Sequence, residues 1–429
     1  MTDRQTRAAW FALAAVTLAN VSGSVDRLVL TLLVEPIRHD LGLTDTQVSL
    51  LMGLGFVVVS SALALPLGRL ADAYSRRALL AAGAAVWNVA TTLTGLASGF
   101  GRLLAARMAV GAGEAALQPA SISLLADLFP PSQLGRAMSV YSLGIFLGAG
   151  IAYLLGAWGV AFATAHLATW PLLGAVRPWQ SVYLLVGLVS LVTVTPLLLL
   201  VREPARRRGA AVPVRDVVAY VRAHAGAVLP LSLGFACSAA VNYGIAGWLA
   251  TFFIRTHGWT APEAGLLQGS LTTVVGPVGA LGGGWLSDRL VRAGRADGPL
   301  VVGIVGALGM VVCAGAYPLV RSATVAAVLL GPVNVFAALP WGPASAAMAE
   351  IMPGRMRAQG AAFMLLVVNL VSGALGPTAV ALATDRLFGG PPGLRWALAL
   401  VTVVGMLLAA ALLFAARAPY RRTVARASA

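Results

Sequence analysis

Apolar runs long enough to cross a bilayer recur twelve times along this chain, at about 9–35, 47–69, 78–98, 103–128, 137–163, 180–201, 226–254, 265–287, 299–320, 323–349, 358–384 and 393–416. Roughly 20 apolar residues in a helix span a hydrocarbon core of about 30 Å, and a helix satisfies its own backbone there. Twelve such runs predict an all-α integral membrane protein. Of 429 residues 59% are hydrophobic and 10% charged, too few polar groups to cover a water-soluble fold. The first run opens behind MTDRQTR and shows no small-residue cleavage site, so it is expected to be a retained helix.

Every one of the 30 basic residues is Arg, so the net charge of +15 does not titrate near neutrality. A nucleic-acid partner would need these charges on one folded face, and they sit in the connections instead. With an even number of spans both termini share a side. On that side fall 21 Arg, among them Arg206, Arg207, Arg208, Arg417, Arg421, Arg422 and Arg426; seven fall opposite, and Arg27 and Arg107 lie inside spans. Positive charge marks the cytoplasmic side, which predicts cytoplasmic termini. Cys237 and Cys313 fall in apolar spans and read as packing residues, with no metal or cofactor site implied.

The chain repeats itself. Gly68-Arg-Leu-Ala-Asp72 after span two returns as Gly284-Trp-Leu-Ser-Asp288 after span eight, 216 residues later; Asp127-Leu-Phe-Pro130 after span four returns as Glu350-Ile-Met-Pro353 after span ten, 223 residues later. Two echoes at nearly one offset predict two pseudo-symmetric six-helix halves, residues 1–201 and 226–429, with a basic cytoplasmic linker at 202–225. The amphipathic VRDVVAYVRA within that linker is expected to lie at the membrane surface.

GRLADAYSRR resembles the cytoplasmic signature of the major facilitator superfamily, with Ala73 and Ser75 where that signature usually has a basic residue and Gly. Asp26-Arg27 followed by LLVEPIRHDLGLTDTQVSLL, then Arg107-MAVGAGEA, then SLLADLFPPSQLGRAM, is similar to the bacterial branch of the spinster-like transporters. The resemblance covers nearly the whole chain. It implies the twelve-helix facilitator fold, with spans one and four neighbours around a cavity, and it points toward lysolipid-like or sphingoid-like cargo.

Asp26 and Arg27 are adjacent on span one, so they point about 100° apart and each needs a partner elsewhere. Ionisable groups at membrane depth face cavities and pair with one another. The candidates are Arg107 and Glu114 on span four, seven residues apart on one face. Helix rise puts Asp26 and Arg27 roughly 10–14 Å deep, between Arg107 at about 7 Å and Glu114 at about 17 Å. The functional expectation is a proton-coupling cluster in which a carboxylate takes up a proton and releases its arginine, Asp26 first and Glu114 second; the alternative is two permanent ion pairs that fix helix packing.

A second group reads as a cytoplasmic gate. Asp72 and Asp288 end even-numbered spans, where a carboxylate can rest against another helix's N-terminus, with Arg76, Arg77, Arg136 and Arg357 as partners. The second half has no mid-span charge. Its polar residues Asn242, Tyr243, Asn334 and Trp341 are the expected substrate-cavity lining, with interhelical hydrogen bonding as the alternative use. Charge on one wall and weakly polar surface on the other suit an amphiphile. Secondary active transport by alternating access follows, carried out by a monomer with protons, an amphiphilic small molecule and the bilayer as partners. A transporter of small organic anions such as sugar acids, clamped by Arg27 and Arg107, is the nearer alternative. A membrane-embedded enzyme or sensor is the further one, since no HExxH, GxSxG or Cys-His cluster occurs and catalytic residues are expected to be none.

Overall fold

A computed structural model describes residues 3–166, 176–203, 214–353 and 356–428, and helices occupy every one of the twelve apolar runs. Span one is α1 (Asp3–Leu32), which bends at Leu33 into the short α2 (Val34–Leu41). Gly42 ends α2 in the left-handed region at φ 63°, where a side chain would be strained. Span two starts with α3 (Asp45–Ser49), capped by Thr44 and Gln47 in a reciprocal box, passes through a π turn at Leu50–Leu54 and continues as α4 (Gly55–Ala73). Span three is α5 (Arg76–Thr94). Span four is broken into α6 (Phe100–Glu114) and α7 (Leu117–Leu128), and spans five and six are α8 (Pro131–His166) and α9 (Pro178–Leu200).

The amphipathic linker stretch forms α10 (Val214–Ala223), and α11 (Ala225–His257), α12 (Ala261–Arg292) and α13 (Gly298–Ala316) follow. Span ten is again broken, into α14 (Ala323–Ala338) and α15 (Trp341–Ile351). Span eleven is α16 (Arg357–Leu382) running into a π turn at Ala383–Leu387, and α17 (Leu394–Ser428) closes the chain. Both broken spans break at matching places, Ala115–Ala116 and Leu339–Pro340.

Among the described residues nine helical stretches are long and apolar enough to cross a membrane on composition alone. Spans three and four are not among these nine. The chain forms two compact units, the first of Met1–Arg208 with Trp259–Gly269 and the second of Gly209–Gly258 with Ser270–Ala429. In unit 1, α1 packs along α8 and α5 lies between α6 and α9; in unit 2, α11 lies between α16 and α17, and α17 also flanks α13. Unit 1 is cored by Trp87, Leu124, Phe129 and Leu198, all at most 1% exposed.

Candidate functional site

The four charges of spans one and four meet in the interior of unit 1 as two pairs. Arg27 forms an ion pair with Glu114, and Arg107 Nη1 lies 3.6 Å from Asp26 Oδ2. The 100° between neighbours on α1 sends Asp26 and Arg27 to different partners, and the two turns between Arg107 and Glu114 on α6 set those partners at two levels. Three of the four are sealed from solvent: the side chains of Asp26 and Arg107 are 2% exposed and that of Glu114 3%, against 31% for Arg27.

Backbone and small side chains complete the site. Arg107 Nη1 donates to Asp26 O at 3.3 Å and Nε to Leu51 O, in the π turn of span two, at 3.4 Å. Arg27 Nη2 donates to Ser24 Oγ at 3.3 Å, and its guanidinium lies over the Phe56 ring, 5.7 Å from the centroid. Gly23 on α1 admits the Glu114 carboxylate, since a Cβ there would sit 3.1 Å from Oε2. Both carboxyl oxygens of Asp26, Oε1 of Glu114 and Nη2 of Arg107 are buried with no hydrogen-bond partner. Close by, the Tyr183 hydroxyl on α9 is also buried and unbonded, within electrostatic reach of Asp26 and Arg107. Unsatisfied acceptors beside a fixed cation are what a site needs if it is to take up a proton without rebuilding its walls.

At the ends of the spans, one arginine of the GRLADAYSRR stretch is buried with partners in its own unit. Arg76 is 2% exposed and finds its partners inside unit 1: Nη1 contacts Asp127 Oδ2 at 2.6 Å and Ser123 O at 3.0 Å, and Nε contacts Glu203 Oε1 at 2.9 Å. Glu203 also accepts from Ser75 Oγ at 2.8 Å and from the Arg77 backbone N–H at 3.0 Å, capping the positive end of α5. Partial burial alone would raise its pKa, but these hydrogen bonds from Arg77, Arg76 and Ser75 outweigh it and hold the carboxyl below its usual range. Arg136 lies over the Trp10 ring at 5.3 Å, Asp288 and Arg357 are exposed, and the Asp72 side chain and Arg355 lie outside the described residues.

Unit 2 holds a cavity of about 130 Å³ where α11, the α14–α15 break and α16 meet. Asn242, Trp341, Ser238 and Ser345 are the hydrogen-bonding groups on its wall, among apolar neighbours such as Phe235 and Met364. Asn242 Nδ2 reaches Ala337 O at 3.5 Å. Tyr243 is off this wall and exposed; Asn334 is off it too, donating to Leu330 O of its own helix at 2.9 Å. Sequence reasoning missed Ser238 and Ser345, which a search for charge and amide groups passes over, and it missed Glu203 and Asp127 as Arg76 partners. Trp179 on α9 is 1% exposed, with Nε1 donating to Asp40 Oδ2 at 2.6 Å.

The family model of the Major Facilitator Superfamily matches residues 15–377. An MFS-type efflux pump of Mycolicibacterium smegmatis is 29% identical over 97% of this chain and 95% of its own length. Protein spinster homolog 1 of Homo sapiens is 26% identical over 93% of this chain and 79% of its own. Among solved structures, a bacterial homologue of the human lysosomal transporter spinster, inward-facing and unoccupied, superimposes with a TM-score of 0.83 at 25% identity, covering 98% of both chains. A D-xylose–proton symporter shares the fold, at a TM-score of 0.69 and 17% identity. With its broken fourth and tenth spans, its paired intramembrane charges and these relatives, the chain belongs to the Major Facilitator Superfamily, as a spinster-like transporter and not an enzyme.

Proposed function

We propose that this transporter is proton-coupled and moves an amphiphilic small molecule of lysolipid or sphingoid type by alternating access. The observation that carries the coupling is the Asp26–Arg107 pair: a carboxylate with two unbonded oxygens, sealed in the membrane interior beside a guanidinium that already has backbone acceptors on two spans. Protonating Asp26 removes the charge that holds Arg107 without stranding the arginine. Glu114 and Arg27 form the second, more accessible pair. A cavity in unit 2 with few hydrogen-bonding groups and apolar walls receives the greasy body of the cargo. The organic-anion reading needs Arg27 and Arg107 presented together as a clamp; the burial of Arg107 and its three oxygen neighbours disfavour it.

In this reading the halves 1–201 and 226–429 are joined by the 202–225 linker, both termini face the cytoplasm of a bacterium and the protein works in its cytoplasmic membrane as a monomer. Asp72, Asp288, Arg77, Arg136 and Arg357 serve the cytoplasmic gate, and Arg76 braces the base of the first half. The test is uptake into proteoliposomes under an imposed pH gradient across lysolipids, sphingoid bases and organic acids. Wild type is expected to respond to the gradient for an amphiphile and Asp26→Asn not to. Equal gradient dependence in both proteins refutes the coupling, and transport confined to hydrophilic acids refutes the cargo.

A further inference from the structure

The π turn at Leu50–Leu54 sits where both ion pairs touch span two. Its closing hydrogen bond runs from Gly55 N–H to Leu50 O, an i to i+5 bond. In an α-helix that N–H would reach Leu51 O. Leu51 O, freed from this donor, accepts from Arg107 Nε instead. One turn further along α6, Gly111 meets the backbone of Phe56: a Cβ on Gly111 would lie within 2.5 Å of Phe56 O, so span two touches α6 backbone to backbone there. The Phe56 ring in turn carries the Arg27 guanidinium. Arg107 above and Arg27 below thus bracket one irregular turn of span two.

Resting on the coupling reading above, we propose that the Leu51 carbonyl is a positioning group for Arg107, and that the π turn is the element through which the state of Asp26 is passed into span two. While Asp26 is charged, Arg107 bridges Asp26 and Leu51 O and replaces the missing helical donor. When Asp26 takes up its proton, Arg107 loses its ion-pair partner on α1, keeps there only the long hydrogen bond to Asp26 O, and its hold on Leu51 O weakens. The turn then closes toward α-helix, and a π turn carries one residue more than the α turn that replaces it. Closure therefore turns the chain beyond Gly55 by up to about 100° and lengthens it by about 1.5 Å. That rotation would carry Phe56 away from Arg27, coupling the second ion pair to the first. The charged and titratable groups facing Asp26 are Arg107 and Glu114 on α6, Arg27 beside it on α1 and Tyr183 on α9; Thr91 on α5, also beside it, does not titrate.

The test is hydrogen exchange by mass spectrometry on the full chain in phospholipid nanodiscs, following the amides of residues 51–56 with the α11 stretch 228–235 as control. Asp26→Asn and Arg107→Gln are each expected to change exchange in the turn at least tenfold at pH 7.5 and leave the control unchanged. Lowering the pH is expected to produce the same change in the protection factors of the wild-type turn, taken relative to the intrinsic exchange rate at each pH. Deleting Met52, which removes the extra residue, is expected to give a turn that exchanges alike with and without Asp26→Asn, and this deletion carries the test should Arg107→Gln fail to fold. Exchange in the turn that ignores Arg107→Gln overturns the inference, as does a Met52 deletion that still answers Asp26→Asn. A turn that ignores Asp26→Asn while that variant loses gradient-driven uptake overturns the inference and spares the coupling. A turn that answers both variants while uptake ignores Asp26→Asn sinks the coupling and spares the positioning role of Leu51.

Discussion

Unit 1 and unit 2 share a plan, including a broken span at matching places, yet they fill the break differently. At the 223-residue offset of the repeat, Arg107 and Glu114 of span four correspond to Leu330 and Ala337 of span ten. In unit 1 those positions carry side chains that form buried ion pairs; in unit 2 their backbone carbonyls accept from Asn334 and Asn242. The ion pairs at the ends of the two units differ in sign. In unit 1 an acid after span six, Glu203, meets a base at the start of span three, Arg76; in unit 2 a base at the end of span twelve, Arg417, meets an acid before span nine, Asp297, at 2.6 Å. The clamp between those ends therefore survives inversion of its charges, whereas the interior charge does not repeat. A structural need common to both halves would have kept the interior pairs in both, so their confinement to unit 1 favours a role in coupling over one in packing.

The largest expected effect follows from breaking the interior pair. Asp26→Ala leaves the Arg107 charge buried and is expected to cost about 3–5 kcal/mol, read as a lowered midpoint in denaturant melts of the purified protein. Adding Arg107→Leu is expected to restore most of that stability and none of the gradient-driven uptake. Asn242→Ala in unit 2 removes a long, neutral hydrogen bond and is expected to cost about 1 kcal/mol or less; a cost equal to that of Asp26→Ala would erase the contrast between the units.

The clamps come next. Arg76→Ala removes the ion-pair partner of Asp127 and Glu203 at once and is expected to cost about 2 kcal/mol, while Arg417→Ala leaves Asp297 with Arg421 at 3.9 Å and is expected to cost about half as much. Thermal melts of the two variants side by side rank them, and the reverse order would contradict the inverted-clamp comparison. In the cavity, Trp341→Ala is expected to raise the KM for amphiphile uptake about tenfold, a loss of roughly 1.4 kcal/mol in binding, with the pH dependence of uptake unchanged.

The smallest effect is on pH-dependent stability. Burial would raise the pKa of Asp297, but the Arg417 hydrogen bond and the Arg417 and Arg421 charges outweigh it, so both Asp297 and Glu203 titrate below their ordinary range when folded. Groups with lowered folded pKa contribute stability above their unfolded pKa of about 4, and that contribution is lost as pH falls through the lower folded value. Melting temperature is expected to drop from pH 5 to pH 3, and to drop less in Glu203→Gln with Asp297→Asn. An unchanged drop in the double variant would remove both clamps from the account.

Twelve spans were legible because length and greasiness in a membrane are nearly sufficient conditions for a helix, and even the broken span four fits the repeat. The meeting of Asp26, Arg27, Arg107 and Glu114 was within reach of helix rise and the cost of lone charge, which leaves few partners to choose from. The order of pairing was not, since it depends on how α1 is rotated against α6. The break in span four has a signal in Pro119, which offers no N–H to the Ala115 carbonyl, as Pro343 offers none to Leu339 in span ten; the π turn has no local signature and follows from contacts such as Arg107 with Leu51 O. Asp40 and Trp179, 139 residues apart, meet through tertiary packing that no periodicity reports.

Infrared difference spectroscopy of a pH step, on the protein in lipid and without substrate, tests most directly whether a carboxyl of unit 1 takes up the coupling proton. Wild type is expected to gain a protonated-carboxyl stretch that disappears in Asp26→Asn and persists in Asp288→Asn. A band that is unchanged when Asp26 and Glu114 are replaced together would contradict the account.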